Sequence, residues 1–373
     1  MKFKINRNHF SAGLQRVLNI VGGNLSMPIL NNALVEAKDK GVFLTTTNLD
    51  QGIRCYVQAE VTEPGILALP VRKLATIVKE LPSLDVEIEL ASENQIKLKS
   101  GTSRFKISGM KPDEFPPLPD FDNEHHFETQ QEDLLRRLKS VSYAKSDDQS
   151  RYILNGVLFQ FDAQDVTLVA TDGRRLALMG KPIAKDENDG GHIVLPGKTV
   201  EELQRLLPQG EKVKIAFNDR QVAFNIEVAD VDTGLAQGIY LVSKVLEGDY
   251  PDYKPTIMMN DLQLKIDRDL LLDSIRRAAL VTSDQSSSVV LSIKENQLEV
   301  SSQSNEYGES QETLAVQYQG EEVSIAFNPD YLLDPLRSLT RDEIIFEFKD
   351  EFSPGMLRTL DEFMCVIMPL RLN

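Results

Sequence analysis

Apolar and polar residues alternate through Lys2–Ile5 (KFKI), the period of a strand with one buried face. The spacing then lengthens: Phe10, Leu14, Val17 and Leu18 recur as on one side of a helix. Further on, VRKLATIVKELP places Leu74, Ile77, Val78 and Leu81 on one helical face and stops at Pro82. GVFLTTTNL, DVTLVATDG and NQLEVSSQS read as strands that close in turns.

This succession recurs. A shift of 124 positions carries Phe3, Phe10, Leu14 and Val17 onto Phe127, Leu134, Leu138 and Val141. It also carries Ile29-Leu30-Asn31 onto Ile153-Leu154-Asn155, with Leu34, Val42, Leu44 and Thr47 landing on Leu158, Val166, Leu168 and Thr171. A shift of 126 carries LPVRKLATIVKELP onto LPGKTVEELQRLLP. A fainter third copy runs through LQLKIDRDLLLDSI, SVVLSIKENQLEVSSQS and SIAFNPDYLLDPLRSL. Such repetition marks a chain of similar units. The boundaries fall near residues 124 and 259, inside the loop-like stretches PDEFPPLPDFDNEHH and YPDYKPTIMMND. Three α+β units follow, 1–124, 125–259 and 260–373, each with two helices and a sheet of its own.

Composition adds limits. Among 373 residues, 41% hydrophobic and 26% charged is ordinary for a globular protein. Cys55 and Cys365 stand alone in apolar stretches, as buried free thiols do, and are too few for a disulfide framework. The N-terminus lacks the apolar core of a signal peptide, and no run approaches the ~18 residues of a membrane span. A reducing cytoplasm is expected.

The net charge of −16 argues against nucleic acid only if it is spread evenly. The outward faces of the six expected helices carry Arg16; Arg72, Lys73 and Lys79; Arg136, Arg137 and Lys139; Lys198 and Arg205; Arg268, Arg276 and Arg277; and Arg337. Glu80, Glu132, Glu201 and Asp273 accompany them, so the helices are mildly positive while strands and loops hold the acidity. For any one helix the plainer reading is an ordinary solvated face. Three units in head-to-tail contact form an arc, and two arcs close a ring if their ends complement each other. Twelve helices would then line a hole whose weak positive charge attracts phosphates without reading bases.

The chain resembles the bacterial DNA polymerase III β sliding clamp family along essentially its whole length. The stretches that carry this are RYILNGVLF, VATDGRRLAL, LEGDYPDYKP, FNPDYLLDPL and the terminal VIMPLRL, in matching order and spacing. The resemblance implies three clamp domains and a head-to-tail homodimer forming a pseudo-six-fold ring around double-stranded DNA. It implies a clamp loader that opens the ring, and no cofactor or metal. It also implies one pocket per chain for a short Gln- and Leu/Phe-containing motif of replicative polymerases, other polymerases and repair proteins. The pocket wall would be Leu154, Thr171, Gly173, Arg174, Arg175, Leu176, Pro251, Asn328, Tyr331, Val366, Met368, Pro369, Leu370 and Arg371. Its aliphatic residues suit apolar partner side chains, and its arginines and Asn328 suit carbonyls or carboxylates.

The plainer readings are an Asp-Gly turn for TDGRR and a buried terminal strand for VIMPLRL, and both can hold beside the functional one. Departures from the pattern are Ser286, Ser287, Pro255, Phe352 and Pro354 near the pocket, and Asn373 at the end. For DNA the resemblance implicates Arg72, Lys73, Gln149, Tyr152, Lys198 and Arg205, with the loop at Asp148; Asn24 and Ile153 replace contact residues. For dimerisation it sets Phe105 against Leu280 and Val281 of the second copy, and Arg104 against an acidic loop bearing Glu306, Glu309 and Glu312. A place for Phe105 in the core of its own sheet is the alternative.

No GxxxxGK[ST], GxSxG or HExxH motif is present. The pair His125-His126 falls in an expected linker, solvated rather than metal-bound. A hydrolase using Asp172 with Arg174 or Arg175 is the best enzymatic alternative, and a protein-binding scaffold that does not encircle DNA is a third.

Overall fold

The computed structural model describes residues 1–22, 27–119, 125–162, 165–181, 190–228, 234–258, 260–283 and 288–371. Asn24, Ser286, Ser287, Asn373 and the two expected boundary positions lie outside them.

The first repeat runs β1 (Lys2–Asn6), α1 (Arg7–Leu18), β2 (Asn32–Lys38), β3 (Gly41–Thr47), β4 (Gln51–Gln58), β5 (Glu60–Glu63), β6 (Gly65–Pro70), α2 (Val71–Lys79), β7 (Asp85–Ser92), β8 (Gln95–Ser100) and β9 (Ser103–Ser108). The second runs β10 (His125–Gln130), α3 (Gln131–Val141), β11 (Gly156–Phe161), β12 (Val166–Thr171), β13 (Arg175–Met179), β14 (His192–Pro196), α4 (Gly197–Leu206), β15 (Lys212–Phe217), β16 (Gln221–Ile226) and β17 (Leu235–Lys244). The third runs β18 (Leu262–Asp267), α5 (Arg268–Ala278), β19 (Val289–Lys294), β20 (Gln297–Ser304), β21 (Gly308–Ala315), β22 (Val323–Phe327), α6 (Pro329–Ser338), β23 (Glu343–Phe348), β24 (Gly355–Arg358) and β25 (Phe363–Ile367).

The expected helices form where the spacing put them. Asn6 caps α1 by accepting from the backbone of Asn8 and His9, and Asp267, its counterpart in the third repeat, caps α5 through Leu270. Helix α1 buries Phe10, Gly13, Leu14 and Val17, and α5 buries Leu271, Ser274, Ile275 and Ala278. Helix α2 ends at Lys79, short of Pro82, because the residue ahead of a proline is pushed out of helical geometry.

The sheets depart from the expectation of one per repeat. Each repeat splits its strands between two sheets. One compact unit, Met1–Leu135 with Glu201–Val245, holds a five-stranded sheet in the order β5-β1-β7-β8-β9. It also holds an eight-stranded one, β10-β15-β16-β17-β4-β3-β2-β6. The other unit, Arg136–Val200 with Leu246–Asn373, holds the eight-stranded β14-β11-β12-β13-β25-β24-β23-β18 and the four-stranded β21-β20-β19-β22. In each eight-stranded sheet, edge strands of two neighbouring repeats pair antiparallel: β17 with β4 (Leu241 opposite Ile53) and β25 with β13 (Cys365 opposite Ala177).

Two further expectations are corrected. His125 and His126 open strand β10 rather than sitting in a linker, and the His125 ring stacks on Phe217 at 5.2 Å. Arg137 is not on an outward face. It is buried, donating 2.7 Å to the Val166 carbonyl and pairing with Asp165 at 2.9 Å. Cys55 and Cys365 are buried and unbonded to each other, and burial pushes both thiols up to about 12.

In the first unit a single buried amide does structural work that no sequence pattern announced. Gln131, fully enclosed at the start of α3, donates to the carbonyls of Lys212 and Glu227, both at 2.8 Å. Its oxygen accepts from the backbone of Gln209 (2.7 Å) and Gly210 (3.2 Å). A Gln131→Ala variant removes four hydrogen bonds to part-buried backbone groups, so denaturant melts should show a loss of about 1–3 kcal/mol. An unchanged midpoint contradicts this role.

Candidate functional site

The candidate site lies in the second unit, at one end of the β13–β25 ladder. Strand β12 turns into β13 through Asp172-Gly173-Arg174. Gly173 takes a φ of 86°, a left-handed conformation that glycine adopts without strain. Thr171 closes the turn, its hydroxyl donating to the Arg175 carbonyl (2.6 Å) and accepting from Gly173 N–H (3.0 Å). One Asp172 oxygen accepts from the backbone of Arg174 and Arg175 at 2.8 and 2.9 Å. The plain Asp-Gly turn therefore holds, and it also sets the position of two wall residues.

From the other side comes the C-terminal segment. Leu176 pairs with Val366 across the ladder, and both are buried. Beyond β25 the chain leaves the sheet but stays tied down. Met368 N–H donates to the Arg174 carbonyl (2.9 Å), and Leu370 N–H to the Ala326 carbonyl (2.7 Å). Met368 and Leu370 nevertheless keep 46% and 38% of their surface exposed. Leu176 and Val366 belong to one apolar cluster with Leu158, Val169, Leu178, Val194, Tyr253 and Met356, and Ile153, Leu246, Tyr250, Ile257 and Met364 pack against it. Tyr253 also bonds Gln160 at 2.6 Å.

Arg175 joins the turn to α6. Its guanidinium sits over the rings of Tyr331 (4.7 Å) and Tyr143 (5.3 Å). It donates to Asp334 (2.7 Å), Asp172 (3.2 Å) and the Tyr143 carbonyl (2.8 Å). Burial disfavours its charge, yet Asp334 and then Asp172 outweigh this and hold its pKa above the ordinary value. Burial likewise raises the Tyr143 hydroxyl, which faces the Cys365 thiol. Arg175 is thus engaged within the chain, where it braces the turn against α6. Arg174 is exposed and reaches the Tyr331 hydroxyl. The Asn328 side-chain oxygen caps α6 by accepting from Asp330 N–H at 2.9 Å, which fixes the side chain and leaves its amide N–H groups as donors for a ligand.

The structure therefore brings together Thr171, Gly173, Arg174, Arg175, Leu176, Asn328, Tyr331, Val366, Met368, Pro369 and Leu370. Leu154 is buried, but its neighbour Ile153 is what packs on the cluster. Pro251 is exposed between Tyr250 and Tyr253, which do pack there, and Arg371 is exposed at the end of the described chain. Pro255 lies exposed in a short 3-10 turn, Lys254–Thr256. Sequence reasoning missed Tyr143, Asp334, Tyr253 and Cys365. Asp334, three residues after Tyr331 on the same helical face, carried the one signal that could have been found.

The residues implicated in DNA contact divide by unit. In the first, Arg72 and Lys73 are both exposed, and the Arg72 guanidinium also donates to the Val21 carbonyl at 2.6 Å. Arg205 is held by the buried Glu202 and donates to the Arg16 carbonyl at 2.7 Å, so much of its charge is spent inside the fold. In the second, Gln149 and Lys198 are exposed, and Tyr152 is exposed with its hydroxyl on the Glu247 carbonyl. Of the interface residues, Arg104 and Phe105 lie exposed on edge strand β9, which removes Phe105 from its sheet's core. Leu280, 76% exposed, and Val281 form the turn after α5. The acidic residues do not share a loop. Glu306 is in a turn, Glu309 and Glu312 are on edge strand β21, and Glu312 already pairs with Arg277 at 2.6 Å. No helix among the described residues is long and apolar enough to cross a membrane.

Replacing Arg175 by Met leaves two carboxylates and a carbonyl without their partner. We expect a loss of roughly 3–5 kcal/mol in denaturant melts. Arg175→Lys should recover only part of it, because an ammonium lacks the planar fork that stacks and bonds together. Full recovery by Lys would refute the stacked geometry.

Comparison with known proteins covers the chain from end to end. Models of the DNA polymerase III beta subunit match in order: the N-terminal domain at residues 1–119, the central domain at 128–252 and the C-terminal domain at 259–371. The chain is 32% identical to the beta sliding clamps of Chlamydia muridarum, over 375 residues, and of Escherichia coli K12, over 380, covering 100% of each. Among solved structures it is similar to the DNA polymerase sliding clamp of Bacillus subtilis, with TM-score 0.92 and 29% identity. A Pseudomonas aeruginosa sliding clamp bound to griselimycin gives 0.91 and 28%, and 100% of both chains is covered in each comparison. With this agreement over its full length, the chain belongs to the DNA polymerase III beta subunit family.

Proposed function

We propose that this chain is a DNA sliding clamp: two copies close around duplex DNA, hold it without reading its sequence, and tether polymerases and repair proteins through the pocket at the β13–β25 ladder. The observation that carries the reading is the meeting of the TDGRR turn and the terminal VIMPLR segment. They lie about 190 residues apart in sequence and are bonded into one exposed apolar edge. Tethering needs no chemistry, since it raises the local concentration of a partner at the primer end. Both oxygens of Asp172 are engaged in its own turn, which weakens the hydrolase alternative. The work belongs in the cytoplasm, where replication partners and reduced thiols are found.

The pocket test uses a fluorescent peptide, Gln-Leu-Ser-Leu-Phe. Wild type should bind it, and Met368→Asp with Leu370→Asp should weaken binding at least about tenfold by placing charge where apolar side chains seat. Equal binding by the variant would exclude this edge as the pocket.

The sheets themselves suggest how copies meet. In each repeat the last strand pairs with the third strand of its hairpin series in the preceding repeat, as β17 does with β4 and β25 with β13. Among the described residues, strands β9 and β21 are the two such edges left unpaired. Phe105 stands where Leu241 and Cys365 stand, opposite Leu98, Phe224 and Leu357 in their hairpins. Ser310, opposite Ser302, stands where Ile53 and Ala177 stand. Thr46 and Ser302 confirm the equivalence, each donating its hydroxyl to the end of its repeat's first helix, at Val17 and Ala278. Pairing β9 with β21 of a second copy then sets Phe105 opposite Ser310, Lys106 opposite Glu309 and Arg104 opposite Gln311. Leu280 and Val281 would cover Phe105. Paired edge strands bring opposite Cα atoms within disulfide reach. Arg104→Cys with Gln311→Cys should therefore give a disulfide-linked dimer on mild oxidation. Phe105→Ala with Leu280→Ala should shift the mass in light scattering toward one chain. A full-strength dimer in the second variant, or no cross-link in the first, would refute the interface.

A further inference from the structure

Helices of neighbouring repeats meet twice, and the two meetings are sealed differently. In the first unit α1 approaches α4, and the Arg16 guanidinium donates to the Gln209 side chain at 2.6 Å. The Arg16 carbonyl accepts from Arg205 at 2.7 Å, and nearby Asn19 bonds Glu202 at 3.5 Å. In the second unit α3 approaches α6, and the shift of 124 puts Ser140 where Arg16 stands and Tyr143 where Asn19 stands. Asp334 holds the place in α6 that Glu202 holds in α4. There Arg175 joins Asp334 to the Tyr143 carbonyl, but Ser140 is too short to reach across.

A cavity of about 460 Å³ remains at that place. Its lining comes from Arg136 and Ser140 on α3, from residues 338–341 at the end of α6, and from the turn between β24 and β25. Met179 and Phe363, paired at the end of the β13–β25 ladder away from the partner pocket, give it an apolar wall. The polar lining offers acceptors. The Ser140 hydroxyl donates to the Arg136 carbonyl (2.9 Å) and the Ser338 hydroxyl to the Pro335 carbonyl (2.8 Å), so both oxygens are left to accept. Thr359, 4% exposed, has a hydroxyl with no hydrogen-bond partner among the described residues. Arg341 is clamped by both oxygens of Asp361, at 2.6 and 3.0 Å. Glu362 meets the exposed Lys181 ammonium loosely, at 3.6 Å. Arg136 and Arg341 balance Asp361 and Glu362 in charge, so one added cation meets no net repulsion.

The geometry points to a guanidinium site: an arginine side chain carried by a partner protein enters this cavity and takes the place that Arg16 fills in the first unit. A guanidinium is planar and weakly hydrated, and its five donors match hydroxyl and carboxylate oxygens. Its face and stem can lie on Met179 and Phe363 without losing much hydration. An ammonium would bring a strongly hydrated point charge against the same apolar wall. An anion would face Asp361 and Glu362 and find the serine donors already used. The guest is chain-borne because the group it replaces is a side chain, not a free ion. The site lies at the opposite end of the ladder from the partner pocket, so filling one leaves the other open.

Ligand-observed saturation-transfer NMR on the full chain tests this, with N-acetyl-arginine amide as the probe and its lysine and leucine analogues and free arginine beside it. Wild type should bind the arginine amide saturably, with a Kd on the order of 1 mM, as a ligand of that size allows. The lysine amide should bind at least about fivefold more weakly, lacking the planar fork. Ser140→Arg supplies the guanidinium from within, so binding should fall at least about tenfold while the melting midpoint holds or rises. Glu362→Gln removes one acceptor charge at nearly constant shape and should weaken binding about three- to fivefold with the midpoint unmoved. Equal binding of the arginine, lysine and leucine amides, or undiminished binding by Ser140→Arg, would overturn the site. If Ser140→Arg does not fold, unchanged affinity in Glu362→Gln refutes the site by itself. Binding of free arginine without binding of its capped form would overturn the partner-borne guest.

Discussion

An antiparallel sheet with an exposed edge invites pairing, and this chain is arranged around that constraint. Every repeat makes two half-sheets, and neither is complete. Inside each unit the gap is closed by the neighbouring repeat, through β17 with β4 or β25 with β13. The ladder hydrogen bonds thus act as joints between repeats as well as holding each one. The candidate site is a consequence. It stands where β25 runs out of partners and the chain must leave the sheet while keeping its backbone groups bonded.

The repeat, the helices and the turns were legible in the sequence because they depend on local spacing. Phe10, Leu14 and Val17 form a buried stripe whatever they pack against. Asp172-Gly173 makes its turn whatever lies beside it. The division of strands between sheets was not legible. Alternation shows that a strand has a buried face but does not say which edge it meets, and Ala177 carries no mark that its partner is Cys365. The same holds for Gln131 and Arg137. Arg137 was expected to face water and Gln131 carried no signal at all, yet both are buried because they bond backbone carbonyls of distant strands.

Charge was legible in outline and misleading in detail. The bias of helices toward Lys and Arg is present in the sequence, but a count treats every arginine alike. In the first unit Arg205 is neutralised by a buried glutamate, while Lys73 is exposed. A lysine is a hydrated point charge and remains at the surface. Arginine, more weakly hydrated and with five donors, is the residue drawn into internal bonding. For a surface that must hold phosphates loosely, the exposed cations matter more than the total. Arg137 and Arg205 are spent on internal bonds, while Arg72, Arg136, Arg276, Arg277 and Arg337 stay exposed beside the lysines.

Arg175 shows why a pocket of this kind needs polar bracing. An apolar groove left open to water gains by collapsing, as the exposure of Met368 and Leu370 makes plain. Two features oppose collapse. On one side the β12–β13–β25 ladder fixes the floor through backbone bonds that tolerate no slip, because a one-residue shift would turn Leu176 and Val366 to the wrong face. On the other, the Arg175 guanidinium fills the space between Tyr143 and Tyr331 and is held to two carboxylates in a fixed plane. An aliphatic side chain of similar volume could fill that space but not fix its direction. The ion pairs therefore contribute geometry more than stability, keeping α6 at a set distance from the turn so that the apolar wall stands ready before any partner arrives.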